Sequence, residues 1–186
     1  TVGDQSNFLA SEISNVIDDN RFDIRDAITF RQLVEKVQPD FVFHLAAQAL
    51  VRPSYENPLE TLSTNSIGSA NVLDALRVLD KKVVAIMITS DKAYDNVEWV
   101  WGYRETDRLG GKDPYSASKG MAELVIRSYV DSFFSDPSSN VRVGVTRAGN
   151  VIGGGDWAVD RIVPDCMEAW ANLGTVDIRS PHATRP

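Results

Sequence analysis

Val83-Val-Ala-Ile-Met-Ile-Thr89 runs without a break into Ser90-Asp-Lys92. The first seven residues are apolar or β-branched with no side-to-side alternation, so they read as a strand buried inside a sheet. Three polar residues directly after such a strand are poor core material. They stand where open α/β sheets keep their ligand sites, beyond the carboxyl ends of the strands. Outward from this stretch, Phe41-Val-Phe-His-Leu45 is a second short apolar run, bounded by Pro39-Asp40. Val141-Arg-Val-Gly-Val-Thr-Arg147 is a third. Between the runs lie helical patterns: Ala27 to Val37, a long stretch opened by Asn57-Pro58 and running to about Leu79, a helix opened by Asp113-Pro114 and running to about Phe134, and roughly Arg161 to Asn172. Asp23-Ile-Arg-Asp26 ends a shorter strand-like piece, and Asp26 suits the cap of the helix that follows. Strands separated by helices imply an α/β fold with a doubly wound parallel sheet and helices on both faces.

The strand rule selects three segments. After the first strand comes Ala46-Ala-Gln48, where small residues suit either a ligand lying against the backbone or tight helix packing. Arg52 nearby is a phosphate clamp or a solvated charge. After the second come Ser90, Asp91 and Lys92, a hydroxyl followed by an acid/base pair; the plainer reading is a capped turn. After the third comes Ala148-Gly-Asn-Val-Ile-Gly-Gly-Gly-Asp156, a flexible glycine-rich turn. It is not the G-x-x-G-x-x-G dinucleotide fingerprint, which the chain lacks. Arg161 and Arg185 have the chemistry to neutralise a diphosphate, or they are structural. The segment from Ser90 to Lys112 is long for a plain connection and points to function.

Asp113-Pro-Tyr-Ser-Ala-Ser-Lys119 places Tyr115 and Lys119 one helical turn apart on one face. An ammonium there favours the phenolate and draws the tyrosine pKa from about 10 towards neutrality. A phenol so tuned takes a proton from a substrate hydroxyl during hydride transfer. The spacing alone arises easily by chance; its place in the α/β pattern gives it weight.

With 186 residues, 43% of them hydrophobic, the chain has the size of one domain and the means to bury a core. A net charge of −7 argues against nucleic acid as a partner. No run reaches the length of a membrane span. The single cysteine, Cys166, excludes an intrachain disulfide and fits a reducing, cytoplasmic compartment. Two histidines and that cysteine form no metal-ligand cluster, so no metal is expected. The chain opens without Met and stops at Arg185-Pro186 without a folding signal, so it reads as an internal piece of a longer protein.

Several motifs together resemble the extended short-chain dehydrogenase/reductases that act on nucleotide sugars. They are His44-Leu-Ala-Ala-Gln-Ala-Leu-Val-Arg52, Ser54-Tyr55, Thr64-Asn65, Thr89-Ser-Asp-Lys92, Trp101-Gly-Tyr103, Gly110-Gly-Lys-Asp-Pro-Tyr-Ser-Ala-Ser-Lys119, Arg147-Ala-Gly-Asn-Val-Ile-Gly-Gly-Gly-Asp-Trp157 and Asp160-Arg-Ile-Val-Pro-Asp165. The nearest likeness is to the 4,6-dehydratases acting on CDP-glucose. The resemblance implies a Rossmann-like NAD-binding domain over 1–186, incomplete at both ends, with 153–186 leading into a substrate-binding region. It implies NAD as cofactor, flanked by Asp23, Ile24, Leu45, Ala46, Ala47, Thr64, Tyr115 and Lys119. Tyr115, Lys119, Ser90, Asp91 and Lys92 become the expected catalytic set, with Lys92 standing where related TDP-glucose enzymes carry glutamate. Gln48, Arg52, Asn150, Arg161 and Arg185 become expected substrate contacts. A homodimer through the helices near 58–79 and 115–134 is implied too. The competing expectations are another dehydratase for TDP- or GDP-sugars, a 4-epimerase, and a non-catalytic NAD-binding regulator on the same fold.

Overall fold

The computed structural model describes residues 6–158, 160–178 and 180–184. In chain order the helices are α1 (Asn7–Ala10), α2 (Ala27–Val37), α3 (Val51–Glu56), α4 (Pro58–Leu62), α5 (Gly68–Leu76), α6 (Pro114–Tyr129) and α7 (Ile162–Ala171). The strands are β1 (Phe41–His44), β2 (Val83–Ser90) and β3 (Val141–Ala148). These residues fall into two compact units, one of 22–149 and one drawn from 6–21 and 150–184.

In the larger unit the three strands are all parallel and lie in the order β1-β2-β3, with Thr89 opposite Arg147 and Ser90 opposite Ala148. This is the Rossmann-type parallel sheet with flanking helices that the alternating pattern implies. In sequential strand order without a reversal, successive crossovers of one hand lay their helices on the same face. Val83, Ala85 and Met87 are accordingly buried under Val34 of α2, Val72, Leu73 and Leu76 of α5 and Ile126 of α6. The opposite face carries Phe41 and Phe43, which are 64% and 63% exposed. Within the larger unit, α2, α5 and α6 therefore flank the sheet on its covered face. Each fully buried leucine or isoleucine on the covered face contributes about 1.5–3 kcal/mol of transfer free energy.

Local chemistry explains where the helices begin. Asp26 caps α2: its Oδ1 accepts from the Thr29 amide at 3.1 Å and its Oδ2 from the Thr29 hydroxyl at 2.6 Å. Asp113 caps α6 in the same manner, accepting from the Ser116 amide at 2.9 Å, with Pro114 at the first helical position. Two expectations are corrected. Asp23 to Asp26 forms a turn rather than the end of a strand, because the Asp23 carboxylate accepts the Arg25 amide and curls the chain. The long helix from Pro58 is interrupted by a π-helical turn at Ser63–Ile67, and α6 likewise runs into one at Val130–Phe134.

In the smaller unit, Ser6 caps the single turn of α1. Gly155 has φ +74°, and a Cβ there would stand 2.3 Å from the Asn7 amide nitrogen, so that position requires glycine. Arg161 heads α7, with its Nε 3.5 Å from Asp156 Oδ2.

Candidate active site

The tip of β2 continues into a 3-10 turn at Asp91–Ala93. Ser90 is its cap: Ser90 Oγ accepts from the Lys92 amide at 3.2 Å and donates to Asp91 Oδ1 at 3.1 Å. Ser90 and Asp91 are both buried, and Lys92 is half-buried. Helix α6 packs directly on this turn. Close approach is possible because residue 120 is glycine: a Cβ there would lie 3.0 Å from the Gly110 carbonyl oxygen and 3.6 Å from that of Ala93. Gly110 in turn donates its amide to the Ala93 carbonyl at 2.9 Å.

Tyr115 and Lys119 are buried on α6, with Lys119 Nζ 5.9 Å from the centre of the Tyr115 ring. Burial holds the Lys119 ammonium below its ordinary pKa. Among the described residues that ammonium makes no hydrogen bond or ion pair. An ammonium on a largely buried side chain, with no hydrogen bond of its own, suits the hydroxyls of a ribose, so this chain's residues fit the nicotinamide-ribose half of a dinucleotide. His44, at the tip of β1, sits on the Ser69 hydroxyl at 3.1 Å. Desolvation, aided by the Lys119 charge, pushes its imidazole down to about 4.

A buried polar junction, unread in the sequence, connects these parts. Asn65 Oδ1 accepts from the Gln48 amide at 2.8 Å, while its Nδ2 donates to the Gln48 carbonyl at 3.0 Å and to Ser118 Oγ at 2.7 Å. Ser118 Oγ donates to the Tyr115 carbonyl at 2.6 Å. The Ala46-Ala47-Gln48 loop is thereby tied to the helix carrying Tyr115. Asn65 lies in the π-helical turn, a distortion frequent at functional sites. The signals available were an asparagine within an otherwise helical, apolar stretch and the Thr64-Asn65 motif, neither of which shows its partners.

The remaining expected residues divide by location. Gln48 has its carboxamide engaged with Thr61 Oγ1 and the Leu50 carbonyl, both at 2.9 Å. Leu45 and Ala46 are exposed beyond β1, Ala47 is half-buried, and Thr64 is half-buried in the π-helical turn. Asp23 accepts from the Arg25 amide, Nε and Nη2, and these bonds hold its carboxyl down at about 2. Ile24 is docked on α5: a Cβ at Gly68 would meet its Cγ2 at 2.8 Å, and Asn71 donates to its carbonyl at 3.0 Å. Arg52 is exposed on α3. Asn150 and Arg161 belong to the smaller unit, and Arg185 lies outside the described residues.

Comparison with known proteins places this geometry in context. Residues 3–142 match the family model described as GDP-mannose 4,6 dehydratase. Over 183 residues the chain is 46% identical to a CDP-glucose 4,6-dehydratase of Salmonella typhimurium, covering 96% of this chain and 51% of that protein. Among solved structures, the UDP-glucose 4-epimerase of Thermotoga maritima with UDP-glucose superposes with a TM-score of 0.74 at 25% identity, over 86% of this chain and 50% of that one. The UDP-glucose 4-epimerase of Brucella ovis in complex with NAD does so at 0.59 and 26% identity, over 70% and 38%. The chain thus spans about half the length of the Salmonella relative. With a parallel sheet of Rossmann type, a family model matched over most of its length and a relative of such identity, the chain belongs to the GDP-mannose 4,6-dehydratase family of extended short-chain dehydrogenase/reductases.

Proposed function

We propose that this chain carries the catalytic groups of a nucleotide-sugar 4,6-dehydratase that converts CDP-glucose to the 4-keto-6-deoxy sugar with NAD. One observation carries the reading: the Asp91-Lys92 turn, with Asp91 buried, packs against the helix that bears Tyr115 and Lys119. Removal of water needs an acid and a base beyond the Tyr-Lys pair, whereas epimerisation at C4 does not. The 46% identity to a CDP-glucose 4,6-dehydratase supports the same choice of substrate.

A bound nicotinamide dinucleotide supplies the hydride acceptor for C4 and the donor for C6. Tyr115 takes the proton of the sugar 4-hydroxyl, and the Lys119 ammonium favours its phenolate and holds the ribose. Ser90 donates to the oxygen that becomes the 4-ketone. The ketone acidifies the C5 proton, and Lys92 acts there, as a neutral base or as a cation beside the enolate. Asp91 protonates the departing 6-hydroxyl, so water leaves across C5 and C6. Asp23 and Ile24 are assigned to the adenine end, Leu45 to Ala47 and Thr64 to the nicotinamide end, and Arg52, Asn150, Arg161 and Arg185 to the nucleotide sugar. Gln48 shapes the loop against which that sugar lies. Leu59, Ile67, Met121, Leu124 and Phe133 leave exposed apolar surface on or just beyond α4 to α6, which supports pairing of two copies through these helices.

Incubating the full-length protein with CDP-, TDP- and UDP-glucose tests the assignment. The expected product is the 4-keto-6-deoxy sugar from CDP-glucose, with transient absorbance of reduced nicotinamide. Product from TDP- or UDP-glucose alone would refute the base specificity, and an inverted 4-hydroxyl would make the enzyme an epimerase. A monomer in light scattering would remove the paired helices.

A further inference from the structure

We propose that Thr89, Glu123 and Arg147 form a positioning clamp, which locks the tip of β2 to α6 and so sets where Ser90, Asp91 and Lys92 stand relative to Tyr115 and Lys119. The clamp rests on the catalytic reading above; it adds Glu123, which lies outside every motif quoted above, and gives a role to Thr89 and Arg147, to which none was assigned.

Each member is one step from the chemistry. Thr89 immediately precedes Ser90. Glu123 follows Lys119 by four residues and Tyr115 by eight, so it continues the same helical stripe. Arg147 faces Thr89 across the β2–β3 ladder. The Thr89 hydroxyl donates to Glu123 Oε1 at 2.5 Å. Arg147 Nε donates to the same oxygen at 2.8 Å, and Nη2 to Oε2 at 3.1 Å. Three donors from two strands thus converge on one carboxylate of the helix. A carboxylate has about four lone-pair sites, so little rotational freedom is left. Arg147 extends the clamp into the long Ser90–Lys112 segment. Its Nη1 donates to the Glu105 carbonyl at 3.1 Å, and its guanidinium lies 4.6 Å from the centre of the Tyr94 ring.

Burial argues that geometry, rather than stability, is the purpose. The side chains of Arg147 and Glu123 are 12% and 7% exposed, the most buried ion pair among the described residues. The hydrogen bonds it donates to Glu123 hold the guanidinium firmly charged despite burial. Burying two charges costs about as much as their attraction returns, and apolar residues of the same volume often serve stability as well. What apolar residues do not supply is a fork of directed bonds. Those bonds fix two strands, a helix and a loop at one point, one turn beyond Lys119. Misplacement of catalytic groups by about 1 Å costs about 100-fold in rate.

The test uses the full-length protein and steady-state turnover of the nucleotide sugar by wild type, Thr89→Val, Glu123→Gln and the double variant. Thr89→Val is close in shape and suits a strand, so it folds even if Glu123→Gln does not. The clamp predicts that kcat falls about 10- to 100-fold in each single variant while KM stays within about twofold. The double variant should be no slower than the slower single one, because both substitutions cut the same link. Arg147→Lys, which keeps the charge and loses the fork, should retain more kcat than Arg147→Met. Singles with kcat within about twofold of wild type, or losses that multiply in the double variant, would overturn the clamp while leaving the dehydratase intact. A wild-type protein that turns over no nucleotide sugar would overturn the catalytic reading, and the clamp with it.

Discussion

The two ends of the sheet treat polar groups in opposite ways. At the amino end of the strands, charges are exposed and partnered by the chain itself. Lys81 bonds the Gln38 carbonyl at 2.8 Å and Asp40 at 2.7 Å, Arg77 pairs with Asp74 at 2.6 Å, and Arg142 donates to the carbonyls of Pro137 and Ser139. A cavity of about 470 Å³ opens there, lined by Arg77, Phe133, Asp136, Ser138 and Asn140. At the carboxyl end, Ser90, Asp91 and Lys119 are buried, and among the described residues the Lys119 ammonium makes no hydrogen bond or ion pair, only the contact with the Tyr115 ring. Water satisfies the first end. The second keeps a desolvated cation in waiting, which costs stability and is retained where a ligand supplies the missing contacts.

Substitution at the carboxyl end should therefore separate stability from activity. Tyr115→Phe removes only a hydroxyl; turnover should fall about 10³-fold with circular dichroism and melting temperature little changed. Retained turnover would take Tyr115 out of the mechanism and leave the two ends alike. Lys119→Met should lose about 10²-fold in turnover yet melt higher than wild type, by about 1–2 kcal/mol of stability, because a partly desolvated ammonium with no hydrogen bond or ion pair is replaced by a methyl thioether of similar length. A lower melting temperature would mean that Lys119 is satisfied in the free protein, and the contrast between the ends would fail.

How much of this contrast is readable from sequence depends on the range of the interactions. The Val83–Ser90 strand is legible because an unbroken apolar run ending in three polar residues has few other readings. Helix α6 is legible because Asp113-Pro114 is a local start signal. The π-helical turn at Ser63–Ile67 is not, since its Asn65 is held by Gln48 and Ser118, 17 and 53 residues away. Helix α3 is likewise unread: it is only six residues long, with Pro53 in its first turn. The Glu123–Arg147 pair spans 24 residues and joins a helix to a strand, so nothing local in the sequence links the two. Candidate catalytic residues gathered at strand ends are visible, whereas what holds them in place is tertiary.

His44 sharpens the comparison by acidity. Its imidazole is buried and neutral, with a pKa lowered by desolvation to about 4 against 6.5 for the ordinary group. The unfolded chain therefore binds a proton that the folded chain refuses. The stability from this group is present in full above about pH 6.5 and is lost as pH falls through 4. Denaturant unfolding at pH 7 and pH 4 should differ by about 3 kcal/mol on account of His44. His44→Leu should show a correspondingly flatter profile. An unchanged pH slope in that variant would mean that the imidazole is solvated in the folded protein.

The smallest effect belongs at the amino end. The Arg77 guanidinium lies 3.9 Å from the centre of the Phe133 ring and pairs with Asp74, with both charged side chains more than a third exposed. Screening by water limits the ion pair to a few tenths of a kcal/mol, and the ring contact at such a site adds about 0.5–1 kcal/mol. Arg77→Ala should therefore lower stability by about 1 kcal/mol in thermal unfolding, and its kcat and KM should match wild type. A change in turnover would show that the cavity beside Arg77 communicates with the carboxyl end, because no chemistry of the proposed reaction reaches the start of β3. Equal turnover with a small loss of stability would leave the two ends distinct in what their charges do: one set keeps the chain folded, and the other acts on a substrate.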